Sequence, residues 1–139
     1  MIKHNAIFGL EENGGCFYSP HIPTRDGGMS TALMAEKLSS DNRTLSEIFA
    51  DLPSYNQRKT KLSYSQDKIA ALLDYLPDNL DYTFDDIDGL KFYFDSSTWA
   101  LIRPSGTEPI VRIFAESENK SNLNSYWDEV FTAINSFNG

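Results

Sequence analysis

The chain has 139 residues, room for one domain of ordinary size or a small domain with an appendage. Its 12 Lys+Arg against 20 Asp+Glu give a formal net charge of −8, which excludes the clustered positive charge behind nonspecific nucleic-acid or anionic-membrane binding. With 40% hydrophobic and 13% aromatic residues it has the makings of a core, which excludes disorder, and its single cysteine, Cys16, excludes a disulfide framework or a cysteine-based zinc cluster. No apolar run approaches the roughly 18 residues of a membrane helix, and no signal-peptide order opens the chain, so a cytoplasmic setting is expected.

In chain order, Asn5-Ala6-Ile7-Phe8 is short and apolar and runs into the turn-rich Gly9-Leu10-Glu11-Glu12-Asn13-Gly14-Gly15. Cys16-Phe17-Tyr18 follows as a second short strand, so the pair predicts a hairpin-like excursion at a sheet edge. After Arg25-Asp26-Gly27-Gly28 the pattern turns helical, with Thr31, Met34, Ala35 and Leu38 at helical spacing up to about Ser39-Ser40. Thr44-Leu45-Ser46-Glu47 has the form of a capping box and opens a short helix to about Leu52, which Pro53 ends. A boundary is placed here, dividing the chain into 1–52 and 53–139.

Residues 57–65 predict a strand with a basic start, Arg58, Lys59 and Lys61 preceding or alternating with Leu62 and Tyr64. Ser65 is placed to cap a helix carrying Ile69, Leu72, Leu73 and Leu76 on one face, closed by Pro77-Asp78-Asn79. Three strands are expected at 89–94, 98–103 and 110–116, with Asp95-Ser96-Ser97 as the tight turn between the first two. A last helix from about Ser121 to Phe137 aligns Leu123, Trp127, Val130, Ile134 and Phe137. The order β-α-β-β-β-α, with connections too short for parallel crossovers, predicts an α+β fold: a mostly antiparallel sheet with helices packed on one face. Asp85-Asp86-Ile87-Asp88-Gly89 does not have the spacing of a calcium loop and reads as a solvated acidic turn.

Arg103-Pro104-Ser105-Gly106-Thr107-Glu108-Pro109 lies between two apolar strands and is therefore a loop held at both ends by a sheet. Arginine grips phosphate oxygens with a planar fork, Ser105 and Thr107 carry hydroxyl donors, and backbone N–H groups around Gly106 can form an anion nest. Pro104 and Pro109 stiffen the loop and lower the entropy lost on binding. Only Lys91, Arg103 and Arg112 are basic between Asp81 and Glu118, so two arginines beside this loop mark a local anion site in an acidic background. On the residues alone the alternative stays open that this is a Pro/Gly turn whose surface arginine pairs with Glu108 or Glu116.

R-P-S-G-T-E-P followed by Ile110-Val111-Arg112-Ile113-Phe114-Ala115-Glu116 resembles the phosphate-binding loop of the C-terminal domain of the α-D-phosphohexomutases, the superfamily of phosphoglucomutase, phosphomannomutase and phosphoglucosamine mutase. Gly9-Leu10-Glu11-Glu12-Asn13-Gly14-Gly15 is similar to the sugar-recognition loop of that family's third domain, with Leu10 in place of the usual glycine. Arg25-Asp26-Gly27 resembles the segment that follows it. The resemblance implies that 1–52 is the C-terminal portion of the third domain, a partial α/β segment. It implies that 53–139 is the fourth, phosphate-binding domain, with a TBP-like fold.

By the same resemblance, Arg103, Ser105, Gly106 and Thr107 clamp the substrate phosphate, Arg112 assists or braces the loop, and Glu11 and Asn13 read sugar hydroxyls. The family's phosphoserine motif, T-A-S-H-N-P-like, and its aspartate-rich metal loop, D-G-D-G-D-like, have no counterpart here, so no residue of this chain is assigned a catalytic or metal-binding role. Ser105 has no basic activator beside it and is not a nucleophile. His4 and His21 carry no role, and Cys16 reads as a small buried apolar residue. The implied function is the substrate-binding part of a hexose phosphate mutase, without a cofactor of its own but with Mg²⁺ in the full-length enzyme. Its partners are a hexose phosphate and the remaining mutase domains, with neither nucleic acid nor membrane. The alternative is a stand-alone, non-catalytic phosphosugar-binding or interaction module.

Overall fold

A computed structural model describes residues 1–11 and 14–138, and the chain divides into two compact units, Met1–Pro53 and Ser54–Gly139. In the first unit a 3-10 turn at Ile2–His4 precedes three short strands, β1 (Phe8–Leu10), β2 (Cys16–Tyr18) and β3 (Ile22–Arg25), paired antiparallel in that order. The hairpin excursion is thus present, with a third strand that its one proline and threonine did not advertise. Cys16 is half-buried in β2 rather than buried. Two helices follow, α1 (Gly27–Ser40) and α2 (Leu45–Ala50). Asp26 caps α1 by accepting from the Met29 N–H at 2.9 Å. The capping box of α2 is complete, because the Thr44 hydroxyl accepts from the Glu47 N–H and the Glu47 carboxylate accepts from the Thr44 N–H at 2.7 Å.

The second unit is a five-stranded antiparallel sheet in the order β4-β8-β7-β6-β5, where β4 is Asn56–Ser63, β5 Thr83–Asp85, β6 Leu90–Tyr93, β7 Trp99–Pro104 and β8 Ile110–Ser117. Its helices are α3 (Gln66–Asn79) and α4 (Lys120–Ser136). Ile69, Leu72 and Leu76 of α3 and Leu123, Trp127, Val130 and Ile134 of α4 pack against the alternate residues Leu90, Phe92, Ala100, Ile102, Val111 and Ile113 of the strands. The core therefore lies between one sheet face and two helices, the α+β arrangement that alternation and helical spacing predict. No helix among the described residues is long and apolar enough to cross a membrane.

Two details, the bounds of the first strand and an added β5, differ from the sequence reading, while α3 closes at 77–79 as expected. The first strand runs Asn56–Ser63, two residues short of the expected end at 65. Pro77 lies inside α3, which continues to Asn79 and ends with the Leu80 N–H on the Leu76 carbonyl at 3.0 Å. A proline in the last turn costs the N–H bond to one carbonyl but not the helical path. β5 is an added edge strand, only three residues long and placed just before the acidic turn.

At the end of the sheet away from the 104–109 loop, buried polar groups form a directional chain. The Asn119 N–H donates to Ser117 Oγ at 3.1 Å, and the Ser117 and Thr98 hydroxyls lie 2.7 Å apart. Thr98 Oγ1 then donates to Asp95 Oδ2 at 2.9 Å, so the shared proton belongs to Ser117. Burial pushes the Asp95 carboxyl up. The hydrogen bonds from the Ser97 N–H, Thr98, Asn122 and the Ser97 hydroxyl outweigh that and hold it below its ordinary 3.8. A depressed carboxyl contributes stability at pH above the unfolded value and loses it as pH falls through the folded one. Chemical unfolding followed from pH 7 down to pH 2 will show wild-type stability falling below about pH 4, with a shallower fall in Asp95→Asn. Thr98→Val, which breaks the chain in a buried site, will cost about 1–3 kcal/mol in the same measurement at pH 7.

Candidate functional site

The 104–109 loop joins β7 to β8, and short backbone bonds hold it at both ends. The Ser105 N–H donates to the Ile110 carbonyl at 2.9 Å, and the Ile110 N–H to the Glu108 carbonyl at 2.8 Å. The Tyr64 N–H, just past β4, donates to the Pro109 carbonyl at 3.1 Å, tying the loop to a third strand. Ser105 is buried, and its oxygen accepts from the Thr107 N–H at 3.4 Å and the Glu108 N–H at 3.3 Å. Two N–H groups expected in an anion nest thus turn toward the serine. Both bonds are long, and both leave the serine O–H proton free to donate. Gly106 and Thr107 are exposed at the tip, and a side chain at Gly106 would meet open space.

Arg103 ends β7 and Arg112 begins β8, and the ladder sets them directly opposite each other. Register-opposite residues project from the same face, here the face that carries no helix of this unit. The alternative of a surface arginine paired with Glu108 or Glu116 does not hold for Arg103, whose Nε lies 2.9 Å from Asp88 Oδ2. Arg112 takes Glu108 instead, at 3.3 Å between Nη2 and Oε2. The acidic turn is therefore not merely solvated, because one of its carboxylates is committed to the loop arginine.

Gly89 makes that pairing possible. It has a φ of +89°, and a Cβ there would fall 2.4 Å from the Ile102 carbonyl oxygen and 2.9 Å from the Arg103 Cα. Only glycine lets the turn lie flat against the backbone that leads into Arg103.

In the first unit, Glu11 Oε2 lies 2.7 Å from Arg25 Nε. The Glu11 N–H donates to the Gly15 carbonyl at 2.8 Å, closing the loop at its base. A Cβ on Gly15 would sit 2.6 Å from that Glu11 oxygen, so glycine here keeps room for the ion pair. Asn13, the second sugar-reading candidate, lies outside the described residues. His21 Nε2 sits 2.9 Å from Asp26 Oδ2, giving that histidine a local partner. The Met29 N–H and then His21 hold the Asp26 carboxyl below its usual value.

The five loop candidates are thus gathered at one sheet end, whereas Glu11 belongs to the other unit. Sequence reasoning missed Lys61. It faces Arg112 across the β4–β8 ladder and so stands in one row with Arg112 and Arg103. The alternation of exposed and half-buried residues along β4 was the available signal: Lys59 and Lys61 fall on the open face. Arg58 turns to the helix side, its guanidinium 4.5 Å from the centre of the Trp127 ring. Among the described residues no three His, Cys, Asp or Glu side chains are arranged to hold a metal ion.

Residues 1–55 match the family model described as phosphoglucomutase/phosphomannomutase, alpha/beta/alpha domain III, and residues 56–133 match that of the C-terminal domain. A phosphoglucomutase/phosphomannomutase of Thermococcus kodakarensis is 38% identical over 128 residues, covering 91% of this chain and 28% of that protein. A phosphoglucosamine/phosphogalactosamine mutase of Sulfurisphaera tokodaii is 38% identical, over 94% of this chain and 29% of its own length. The crystal structure of a phosphoglucomutase/phosphomannomutase family protein from Burkholderia thailandensis shares the fold, with a TM-score of 0.80 at 22% identity over 96% of this chain and 29% of that one. The chain thus spans under a third of the length of these relatives.

Gly89→Ala tests how the acidic turn is seated. Strain at a positive φ together with a backbone clash will cost about 1–3 kcal/mol in urea unfolding. In NMR spectra the largest amide shifts will fall at 88–89 and 102–103, where the added methyl collides.

Proposed function

Because the chain belongs to the phosphoglucomutase/phosphomannomutase family, we propose that it is the substrate-binding C-terminal part of a hexose phosphate mutase, one that interconverts hexose 1-phosphate and 6-phosphate through a bisphosphate. The observation that carries this reading is the loop Arg103-Pro104-Ser105-Gly106-Thr107-Glu108-Pro109, tied to three strands, with Arg103 and Arg112 in register on its flanks. A phosphate monoester seated there exchanges with Asp88 and Glu108 for the two guanidinium forks. It also takes hydroxyl donors from Ser105 and Thr107, with Gly106 leaving its approach open. In the first unit, Glu11 and Asn13 are assigned to sugar hydroxyls, Glu11 as an acceptor carboxylate already oriented by Arg25.

On this reading the chain positions a substrate and does not itself transfer phosphate. Positioning lowers a barrier by fixing the reacting end while the other end is held. The phosphoryl donor, and the Mg²⁺ that neutralises transferring phosphate when bound, are assigned to parts of the enzyme beyond these residues, because the family's phosphoserine and aspartate-rich metal-loop motifs have no counterpart in this sequence. Exposed Ile7, Phe8, Leu10, Phe49 and Leu52 of the first unit are assigned to contact with the rest of the mutase.

The reading is tested by NMR-monitored titration of the 139-residue chain with inorganic phosphate and glucose 1-phosphate. Shifts are expected to centre on 103–107, with binding about tenfold or more weaker in Arg103→Ala, the worth of one charge-assisted hydrogen bond. Shifts centred elsewhere would overturn the assignment. A coupled assay with glucose 1-phosphate or mannose 1-phosphate will show no turnover by this chain alone, and measurable turnover would refute its purely positioning role.

A further inference from the structure

The cations on the open face of the second unit are not evenly spread. The ladders set Lys61 opposite Arg112 and Arg112 opposite Arg103, so three positive residues on three adjacent strands form one straight row beside the 104–109 loop. Like charges directly opposite each other in a sheet destabilise it. Arg103 and Arg112 are each relieved by an acidic partner, Asp88 at 2.9 Å and Glu108 at 3.3 Å. Lys61 is exposed and has no counter-charge among the described residues. In a chain with net charge −8, an uncompensated lysine at the end of a cationic row is a local cost that folding does not require.

We propose that Lys61 is a third cationic arm of the anion site, supplying the net positive charge that draws in a phosphate dianion. This rests on the phosphate-loop reading above and adds to it a residue from a strand outside the loop. The division of labour follows from the chemistry of the groups. The two arginines offer planar forks that fix orientation, and each starts with a carboxylate that the incoming phosphate must displace. A lysine offers a flexible point charge, suited to attraction and to following a phosphate as it settles. Without Lys61 the row is neutralised by Asp88 and Glu108, and a dianion would approach with no net charge to meet it. The stem of Lys61 is long enough to reach the loop side of Arg112, because register-opposite Cβ atoms in such a ladder lie about 5 Å apart.

The test compares the 139-residue wild type with Lys61→Gln, Lys61→Arg and Arg103→Ala in NMR titrations with inorganic phosphate at low and high salt, together with thermal unfolding. Lys61→Gln is expected to weaken binding about fivefold at low salt, with the difference shrinking at high salt as a screened charge requires. Lys61→Arg keeps most of the affinity. The melting temperature of Lys61→Gln stays level or rises, because a like-charge contact is removed. Wild-type affinity in Lys61→Gln beside a loss in Arg103→Ala overturns the role of Lys61 and leaves the phosphate loop standing. Unchanged or absent binding across wild type and all variants overturns the loop reading itself, and Lys61 with it. A loss in Lys61→Gln that comes with a lowered melting temperature also overturns the proposal, since the lysine is then structural.

Discussion

The pairing of β7 with β8 is the constraint on which the second unit turns. Its register puts Ala100 against Ala115 and Ile102 against Ile113 toward the helices, and Leu101 against Phe114 and Arg103 against Arg112 on the open face. A slip of one residue would drive Arg112 into the core and Ile113 into water, so burial of apolar side chains enforces the register. The same register fixes the span of the loop between Pro104 and Ile110, closed by the Ser105 N–H on the Ile110 carbonyl. The placement of two arginines on either side of a hydroxyl-rich turn is thus a by-product of packing on the opposite face. β8 also pairs along its full length with β4, so a central strand carries the site and its position is hard to perturb.

Charge on that open face is arranged against the background of an acidic chain. Arg103 and Arg112 are met by Asp88 and Glu108, both partly exposed and within reach of solvent. Exposed pairs of this kind contribute little to stability, about 0–1 kcal/mol each, because water competes for both partners. On the proposed phosphate-binding reading, that weakness is useful. The guanidinium groups are kept extended and oriented by carboxylates that an incoming anion can replace at small cost. Gly89 serves the same end from the backbone, since the turn that bears Asp88 reaches Arg103 only where no side chain intervenes.

Much of this was legible in the sequence, and the reasons differ by element. α3 and α4 could be read because Ile69, Leu72 and Leu76, and Leu123, Trp127, Val130 and Ile134, repeat at helical spacing and all enter the core. β6, β7 and β8 could be read because apolar residues alternate there. β3 and β5 could not, because every residue of Ile22–Arg25 is exposed and Thr83–Asp85 is a short edge strand, so neither carries a periodic apolar signal. Pro77-Asp78-Asn79 closes α3 as read, because proline breaks a helix interior but is tolerable in its final turn. The loop was recognisable as a string of residues, but its electrostatic partners were not. Asp88 meets Arg103 and Lys61 faces Arg112 through strand pairing between distant parts of the chain, which local patterns do not encode.

The two units hold their polar side chains in different ways, and the difference bears on what each can do. In Ser54–Gly139 the loop stands on a sheet whose far face is packed with Phe92, Ile102, Val111 and Ile113, all fully buried. Interiors of that density resist displacement, so the strand ends that carry the loop are held firmly in place. In Met1–Pro53 no described residue is buried, and polar side chains are held by the Asp26 cap, the capping box at Thr44, the Arg43 pairs with Asp41 and Asp51, and the Glu11–Arg25 pair. Caps of this kind are worth about 1 kcal/mol each and exposed ion pairs less. Glu11 is accordingly oriented but lightly held, with one oxygen on Arg25 and a carboxylate 37% exposed. A group held this way exchanges partners readily, which fits the role proposed for Glu11 in reading sugar hydroxyls. The loop at 104–109, by contrast, fits the proposed binding of an anion of fixed tetrahedral shape.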